Sequence, residues 1–298
     1  MTLRVSVIVP ALNAAEHIGG CLAALLAQTY PAERTELIVV DNGSVDQTRG
    51  RVRESGARLL VERRVHSPYA ARNAGFEHAT GDVIAFTDAD CVPAKDWIER
   101  GLALLEREAA DLVAGHVRFT YAGRPAAAQL LDAITNLDQA RSVADRGAAK
   151  TGNLFVARHV FDAIGRFDSE RRSGGDVAFT ARASGAGFTL IYAEDAVVEK
   201  PARGALALAR KQYRVGRGEI STWQEAGLTR EQIARGVLRA LLPVHPRYLR
   251  ARLAARGPSG RQRGFLPLWL TSWWIGLAQS AGRLRQWAAG GRTGGRQP

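Results

Sequence analysis

The chain has 298 residues, 46% of them hydrophobic, and a formal charge of +12. That is enough apolar material to fill the core of one large α/β unit with an appendage. Cys21 and Cys91 alone supply neither a disulfide framework nor a metal-type cysteine spacing, which fits a reducing cytoplasm. The charge is uneven: residues 1–202 hold 23 Lys and Arg against 26 Asp and Glu, while residues 203–298 hold 18 against 3, so an anionic partner is expected of the C-terminal third alone.

In chain order, the first two hundred residues alternate β-branched runs with amphipathic stretches, the pattern of βαβ units around a mostly parallel sheet. "MTLRVSVIVP" lacks a basic start followed by a long apolar run and reads as a first strand over 4–10, not as a secretion signal. Ile18, Cys21, Leu22, Leu25 and Leu26 follow the spacing of one buried helix face. Further strands are predicted over 36–41, 58–62, 82–88 and 111–119. Ser67 before Pro68 reads as an N-cap with proline at the first helical position, opening a helix to about His78, and another helix follows Pro93. The charge balance changes sign near Pro201, which divides the chain into a domain over 1–202, a basic helical extension over 203–290 and a disordered tail over 291–298.

Ligands of open α/β sheets bind beyond the carboxyl ends of the strands, and here those ends read "PALNAAE", "DNGSVDQT" and "TDADC". They offer Pro10, Asn13, Glu16, Asp41, Ser44, Asp46, Asp88 and Asp90 to one cleft. Neither a G-x-G-x-x-G fingerprint nor a P-loop accompanies them. Several have a structural reading beside the functional one: Asn13 with Glu16 forms a capping-box pattern, Ser44 suits a helix N-cap, and Asp41 suits an Asx turn. Asp88 and Asp90 resist such a reading, because two carboxylates on one strand tip repel unless a cation sits between them or one stays protonated.

The run "VSVIVPALNAAEHIGGCLAALLAQTYPAERTELIVVDNGSVDQT", then "RNAG", then "GDVIAFTDADC", resembles the family 2 glycosyltransferases, of a bacterial, membrane-associated kind, from about Val5 to about Arg203. The resemblance implies a GT-A fold, a Rossmann-like, mostly parallel sheet flanked by helices, binding a nucleoside diphosphate sugar. It implies that Pro10, Asn13 and Glu16 line the nucleotide pocket, that Asp41 accepts from the base, and that Arg72 lies near the nucleotide and its phosphates, with Ser44 also expected among the substrate-binding residues. Asp88 then approaches ribose and sugar, and Asp90 binds a divalent metal, Mg²⁺ or Mn²⁺, which neutralises the leaving diphosphate.

In "SGGDVAFTARASGAGF" the family commonly carries an acidic pair; this chain has Gly175 and then Asp176, and the resemblance makes Asp176 the general base. The alternative is a helix-capping Asp after a double glycine. "KTGNLFVAR" resembles the acceptor-side strand, with Gly152 and Asn153 near the sugar. A second departure is "AVVEKPAR", where relatives often have a histidine that can bind metal and this chain has Glu199 and Lys200. A protonated lysine cannot bind a metal, so either Glu199 serves, Lys200 contacts the diphosphate, or the metal site is incomplete.

The run 264–282 is free of charge and holds Trp269, Trp273 and Trp274. With the surrounding arginines it suits interfacial, monotopic attachment to an anionic membrane at the cytoplasmic face, ahead of a transmembrane helix or a buried dimer or lid helix; nucleic acid is not expected. The expected activity is inverting transfer of a sugar from a nucleoside diphosphate donor, UDP by expectation, to a lipid-linked or polysaccharide acceptor. The alternatives are a sugar nucleotidyltransferase and a catalytically silent nucleotide-sugar-binding protein.

Overall fold

The computed structural model describes residues 3–171, 173–225, 227–239, 241–257 and 264–290, and the tail expected over 291–298 lies outside them. The chain forms two compact units, one of Met1–Thr120, Leu137–Arg171 and Gly175–Pro201, the other of Tyr121–Asn136, Arg172–Gly174 and Ala202–Pro298.

The first unit is an eight-stranded sheet. Its strands are β1 (Val5–Ala11), β2 (Thr35–Asp41), β3 (Arg58–Val61), β4 (Val83–Thr87), β5 (Val92–Pro93), β6 (Leu112–Thr120), β7 (Asn153–Ala157) and β8 (Leu190–Pro201), in the spatial order β3-β2-β1-β4-β7-β6-β8-β5. β1 pairs in parallel with both β2 and β4, and β2 with β3, so three polar strand ends lie side by side as the sequence anticipates. β7 runs antiparallel to β4, with Asn153 opposite Thr87, which brings the start of β7 to the same edge. β8 runs parallel to β6 with a register shift between Gly115 and His116, and β8 was not anticipated because its mixed charges hide the strand pattern.

Central strands read as continuous apolar runs because both faces are covered. Val5, Val7, Val9 and Val39 face α1 (Ile18–Leu26) and α4 (Trp97–Arg107) in one core cluster. Ile8, Ile38, Val40 and Phe86 face α3 (Pro68–His78), α7 (Arg158–Ile164) and α8 (Gly175–Gly185) in the other. α2 (Thr48–Glu54) and α6 (Gln139–Arg146) complete the unit. Ser67 caps α3 as predicted, accepting from the Tyr69 N–H at 3.2 Å with Pro68 next in the chain.

The second unit is helical: α5 (Ala127–Thr135), α9 (Ala205–Glu225), α10 (Arg230–Arg239), α11 (Pro246–Arg256) and α12 (Phe265–Gly290). Asp132 is wholly buried and accepts from the Arg203 N–H at 3.0 Å with Lys211 at 3.4 Å, so one carboxylate ties α5 to the chain entering α9. α9 and α12 meet backbone to backbone, since a Cβ at Gly216 would stand 2.0 Å from the Gln279 carbonyl oxygen and one at Gly282 would stand 2.1 Å from that of Tyr213. α12 therefore packs one face, while Leu266, Leu270, Trp273, Trp274, Leu277 and Leu284 remain exposed. Among the described residues no helix is long and apolar enough to cross a membrane, which removes the transmembrane reading of 264–282.

Close packing in the first unit makes a test. A Cβ at Gly101 of α4 would stand 2.3 Å from the Phe155 ring, so Gly101→Ala is expected to lower unfolding free energy by about 1–3 kcal/mol in urea titration. An unchanged midpoint would show that α4 does not press on β7 this tightly.

Candidate functional site

The loops after β1 and β2 are stitched together by side chains. Asn13, in a left-handed conformation at φ 47°, donates its N–H to Ser44 Oγ at 2.9 Å and accepts from the Val45 N–H at 2.9 Å. Thr48 Oγ1 accepts from the Ala14 N–H at 2.8 Å, and Asp46 accepts from the Ala15 N–H at 3.1 Å. The capping readings of Asn13 with Glu16 and of Ser44 are corrected by this geometry: α1 starts at Ile18 behind His17 and α2 at Thr48 behind Gln47, and neither cap uses a side chain. Asp41 is wholly buried and accepts from the Gly43 and Ser44 N–H groups at 3.2 Å, the Asx-type turn that its position suggested. Pro10 is half-buried at the end of β1, and Glu16 is exposed.

The centre of the edge is an ionic cluster around the end of β4. Lys200, the penultimate residue of β8, is wholly buried; its Nζ contacts Asp90 Oδ1, lies 3.2 Å from Asp88 Oδ2, and comes within 3.6 Å of Cys91 Sγ. Arg72 reaches from α3 to Asp88 Oδ1 at 3.0 Å. Arg72 is 4% exposed, and its Nε is buried with no hydrogen-bond partner among the described residues. Asp88 also lies against the chain at Gly152, where a Cβ would stand 3.3 Å from Oδ2.

Asp176, in the first turn of α8, accepts from the Tyr69 hydroxyl at 3.3 Å and from the Thr151 N–H at 3.4 Å. Tyr69 sits one helical turn before Arg72, and Thr151 precedes Gly152, so Asp176 and Asp88 bracket the same short stretch of chain. Tyr69 is a site residue that no sequence motif marks, since its contact spans 107 positions. It also explains Gly175, because a Cβ there would stand 2.9 Å from the Tyr69 ring and no acid can occupy the position while the ring is in place.

Asn153, expected near the sugar, is turned inward. It is wholly buried, donates to the His116 and Ala196 carbonyl oxygens at 2.8 Å and accepts from the Trp97 indole N–H at 2.8 Å. Its amide braces the junction of β6, β7 and β8, and Gly152 alone of that pair meets Asp88.

A divalent cation has donors of the right spacing here: single ligand atoms of Asp88, Asp90 and Cys91 lie within 4.8 Å of one another. The surroundings do not suit Mg²⁺ or Mn²⁺. Burial pushes the Cys91 thiol up to about 12, so it stays a neutral, soft donor, whereas these hard cations take oxygen ligands. Both carboxylates are already paired with Lys200, and Asp88 also with Arg72. A divalent ion there would have to displace the Lys200 ammonium from both carboxylates, since a bound cation and a buried ammonium repel at such close range. Glu199 supplies no replacement ligand: it is half-buried and pairs with Arg118 at 3.3 Å, on the opposite side of β8 from Lys200.

The profile of "Glycosyl transferase family 2" matches residues 6–173. Glycosyltransferase AglE of Haloferax volcanii is 39% identical over 94% of this chain and 95% of its own length. The UDP-Glc:alpha-D-GlcNAc-diphosphoundecaprenol beta-1,3-glucosyltransferase WfgD of Escherichia coli is 33% identical over 39% of this chain and 44% of its own. Among solved structures, the mannosyltransferase PcManGT of Pyrobaculum calidifontis in complex with GDP-Man and Mn²⁺ superposes with a TM-score of 0.59 at 21% identity, covering 100% of this chain and 77% of that one. TarS of S. aureus, residues 1–349 with UDP-GlcNAc, superposes with a TM-score of 0.53 at 19% identity, over 71% of this chain and 66% of that one. The relatives come from an archaeon and a bacterium, and the shared fold is GT-A.

The bracing role of Asn153 is testable apart from any activity. Asn153→Ala strands an indole N–H and two carbonyl groups, and is expected to cost roughly 3 kcal/mol in chemical denaturation. A loss under about 0.5 kcal/mol would mean that those groups find other partners.

Proposed function

Because this chain belongs to glycosyl transferase family 2 and is a glycosyltransferase, we propose that it moves a sugar, with inversion, from a nucleoside diphosphate donor to a lipid-linked or polysaccharide acceptor. The observation that carries this reading is that Asp176, held by Tyr69, and Asp88, held by Arg72, bracket Thr151 and Gly152 at the carboxyl edge of the sheet. UDP is the donor nucleotide we expect, supported by the UDP-sugar named for WfgD and bound to TarS, while PcManGT holds a GDP-sugar.

In this reading Pro10, Asn13, Glu16, Asp41 and Ser44 form the nucleotide side of the cleft, and the stitching of the two loops keeps it in shape between turnovers. Arg72 faces the diphosphate, which gives its unpartnered Nε an anionic oxygen to bind. The acceptor hydroxyl oxygen attacks the anomeric carbon from the face opposite the diphosphate, and its proton passes to the Asp176 carboxylate. The bond from the anomeric carbon to the phosphate oxygen breaks, and its electron pair leaves with the diphosphate. One displacement inverts the anomeric centre. No step passes through a metal ion, since the residues around Asp90 do not suit one.

Attachment to an anionic membrane surface at the cytoplasmic face is the second part of the proposal. Leu266, Leu270, Trp273, Leu277 and Leu284 recur at helical spacing on the exposed side of α12, and the residues from 203 onward carry the excess of arginine. Apolar and tryptophan side chains beside arginines suit the boundary of anionic headgroups and acyl chains. The expected division into a GT-A catalytic domain and a basic membrane-associating extension follows from the two parts of this reading.

Asp176→Asn is expected to reduce transfer by 10²–10⁴-fold, read as nucleoside diphosphate release from UDP- and GDP-sugars with bacterial or archaeal lipid extract as acceptor. Its thermal stabilisation by the nucleotide should persist; near-normal release would remove Asp176 as the base. Replacing Leu270, Trp274 and Leu277 together by serine is expected to weaken sedimentation with phosphatidylglycerol vesicles at least tenfold, and unchanged sedimentation would locate membrane attachment elsewhere or nowhere.

A further inference from the structure

Lys200 answers the repulsion between Asp88 and Asp90 from within the chain. Its ammonium is wholly buried and contacts both carboxylates, at the spacing where an ion could bridge them. Burying an ammonium is unfavourable unless it is paired, and here each negative charge of the D-x-D has a fixed positive neighbour. Asp88 and Asp90 against Lys200 and Arg72 leave the cluster with no net charge, so it gives little attraction to an added cation.

We propose that the Lys200 ammonium is the cation of the donor site, taking the place of a divalent ion, so that this chain binds nucleoside diphosphates and transfers from them without Mg²⁺ or Mn²⁺. This rests on the nucleotide-sugar reading above. An ammonium has three N–H donors and can exchange a carboxylate oxygen for a phosphate oxygen without leaving the cluster. Lys200 transfers no proton in this step and acts by charge alone, facing the diphosphate as negative charge grows on it. A single charge neutralises a leaving diphosphate less fully than a divalent ion does, and Arg72 supplies the second positive charge, its buried Nε being open to an anionic oxygen. β8 holds Lys200 in place: Lys200 pairs with Phe119 on β6, and the preceding Glu199 turns to Arg118. The cation is thus delivered by the sheet.

The experiment uses the purified full chain and two readouts. In the first, Mn²⁺ is titrated and its free concentration followed by electron paramagnetic resonance. The wild type is expected to take up no Mn²⁺ at micromolar concentration, while Lys200→His, which exchanges the ammonium for a metal ligand, binds Mn²⁺ at least tenfold more tightly. In the second, thermal stabilisation by UDP and by GDP is compared in EDTA and in MnCl₂. The wild type should show the same shift in both, Lys200→Met should lose it in EDTA, and Lys200→Arg should retain it, which covers the case that Lys200→Met does not fold. Stoichiometric Mn²⁺ uptake by the wild type, or a nucleotide shift that disappears in EDTA, would overturn the proposal. If neither nucleotide shifts the wild type in either condition, the donor reading itself fails, while the Mn²⁺ titration still decides which cation the two carboxylates hold.

Discussion

Two carboxylates at the tip of one strand repel each other, and the way this chain resolves that repulsion governs the rest of its edge. Lys200 lies buried between Asp88 and Asp90, with Arg72 on the far oxygen of Asp88. Removing one partner from a buried ionic group of this kind typically costs 3–5 kcal/mol, because the remaining charge is left without compensation. The cluster therefore constrains three elements at once: the end of β4, the end of β8 and the first turns of α3. With these fixed, Tyr69 is carried to Asp176, and Thr151 and Gly152 are enclosed between Asp176 and the D-x-D.

The sheet makes this possible through its pairing order. Parallel strands β1, β2 and β4 end on one edge, and β7, running the other way, begins there. β8 reaches the same edge through its pairing with β6, and the register shift at Gly115 and His116 falls in that pairing. Asn153 holds the junction with three hydrogen bonds, in a place where a Cβ on Gly115 would stand 2.3 Å from its amide. The glycine and the asparagine are thus one packing unit, and the side chain of Asn153, which the family resemblance places near the sugar, is spent here on bracing the sheet.

Much of the first unit was legible in the sequence because the signals are local. The apolar runs of β1, β2 and β4, the spacing of α1, and the Ser67-Pro68 start of α3 depend on neighbours within a turn or a strand. Strand β8 was not legible, since "LIYAEDAVVEKP" mixes acids with apolar residues and owes its place to β6, some eighty positions away. The same distance hid what Lys200 does. The sequence showed that Glu199 and Lys200 stand where relatives often have a histidine, yet only the fold shows both aspartates within reach of one ammonium and Glu199 turned the other way. Gly175 is a similar case: the missing acid becomes intelligible only when the Tyr69 ring is seen filling its space. In the second unit the long apolar helix was visible, but not the glycines that let α9 and α12 touch along their backbones.

In this family 2 glycosyltransferase an ammonium of the chain itself pairs with both carboxylates of the D-x-D, and the proposal is that this charge, set at folding, serves the donor diphosphate in place of an ion. The most direct measurement is a crystal structure of the full chain grown with a nucleoside diphosphate and MnCl₂, with diffraction recorded at the manganese absorption edge. The account predicts a diphosphate oxygen within hydrogen-bond distance of Lys200 Nζ and no anomalous peak beside Asp90. A manganese peak coordinated by Asp90, with Lys200 displaced from the carboxylates, would contradict it.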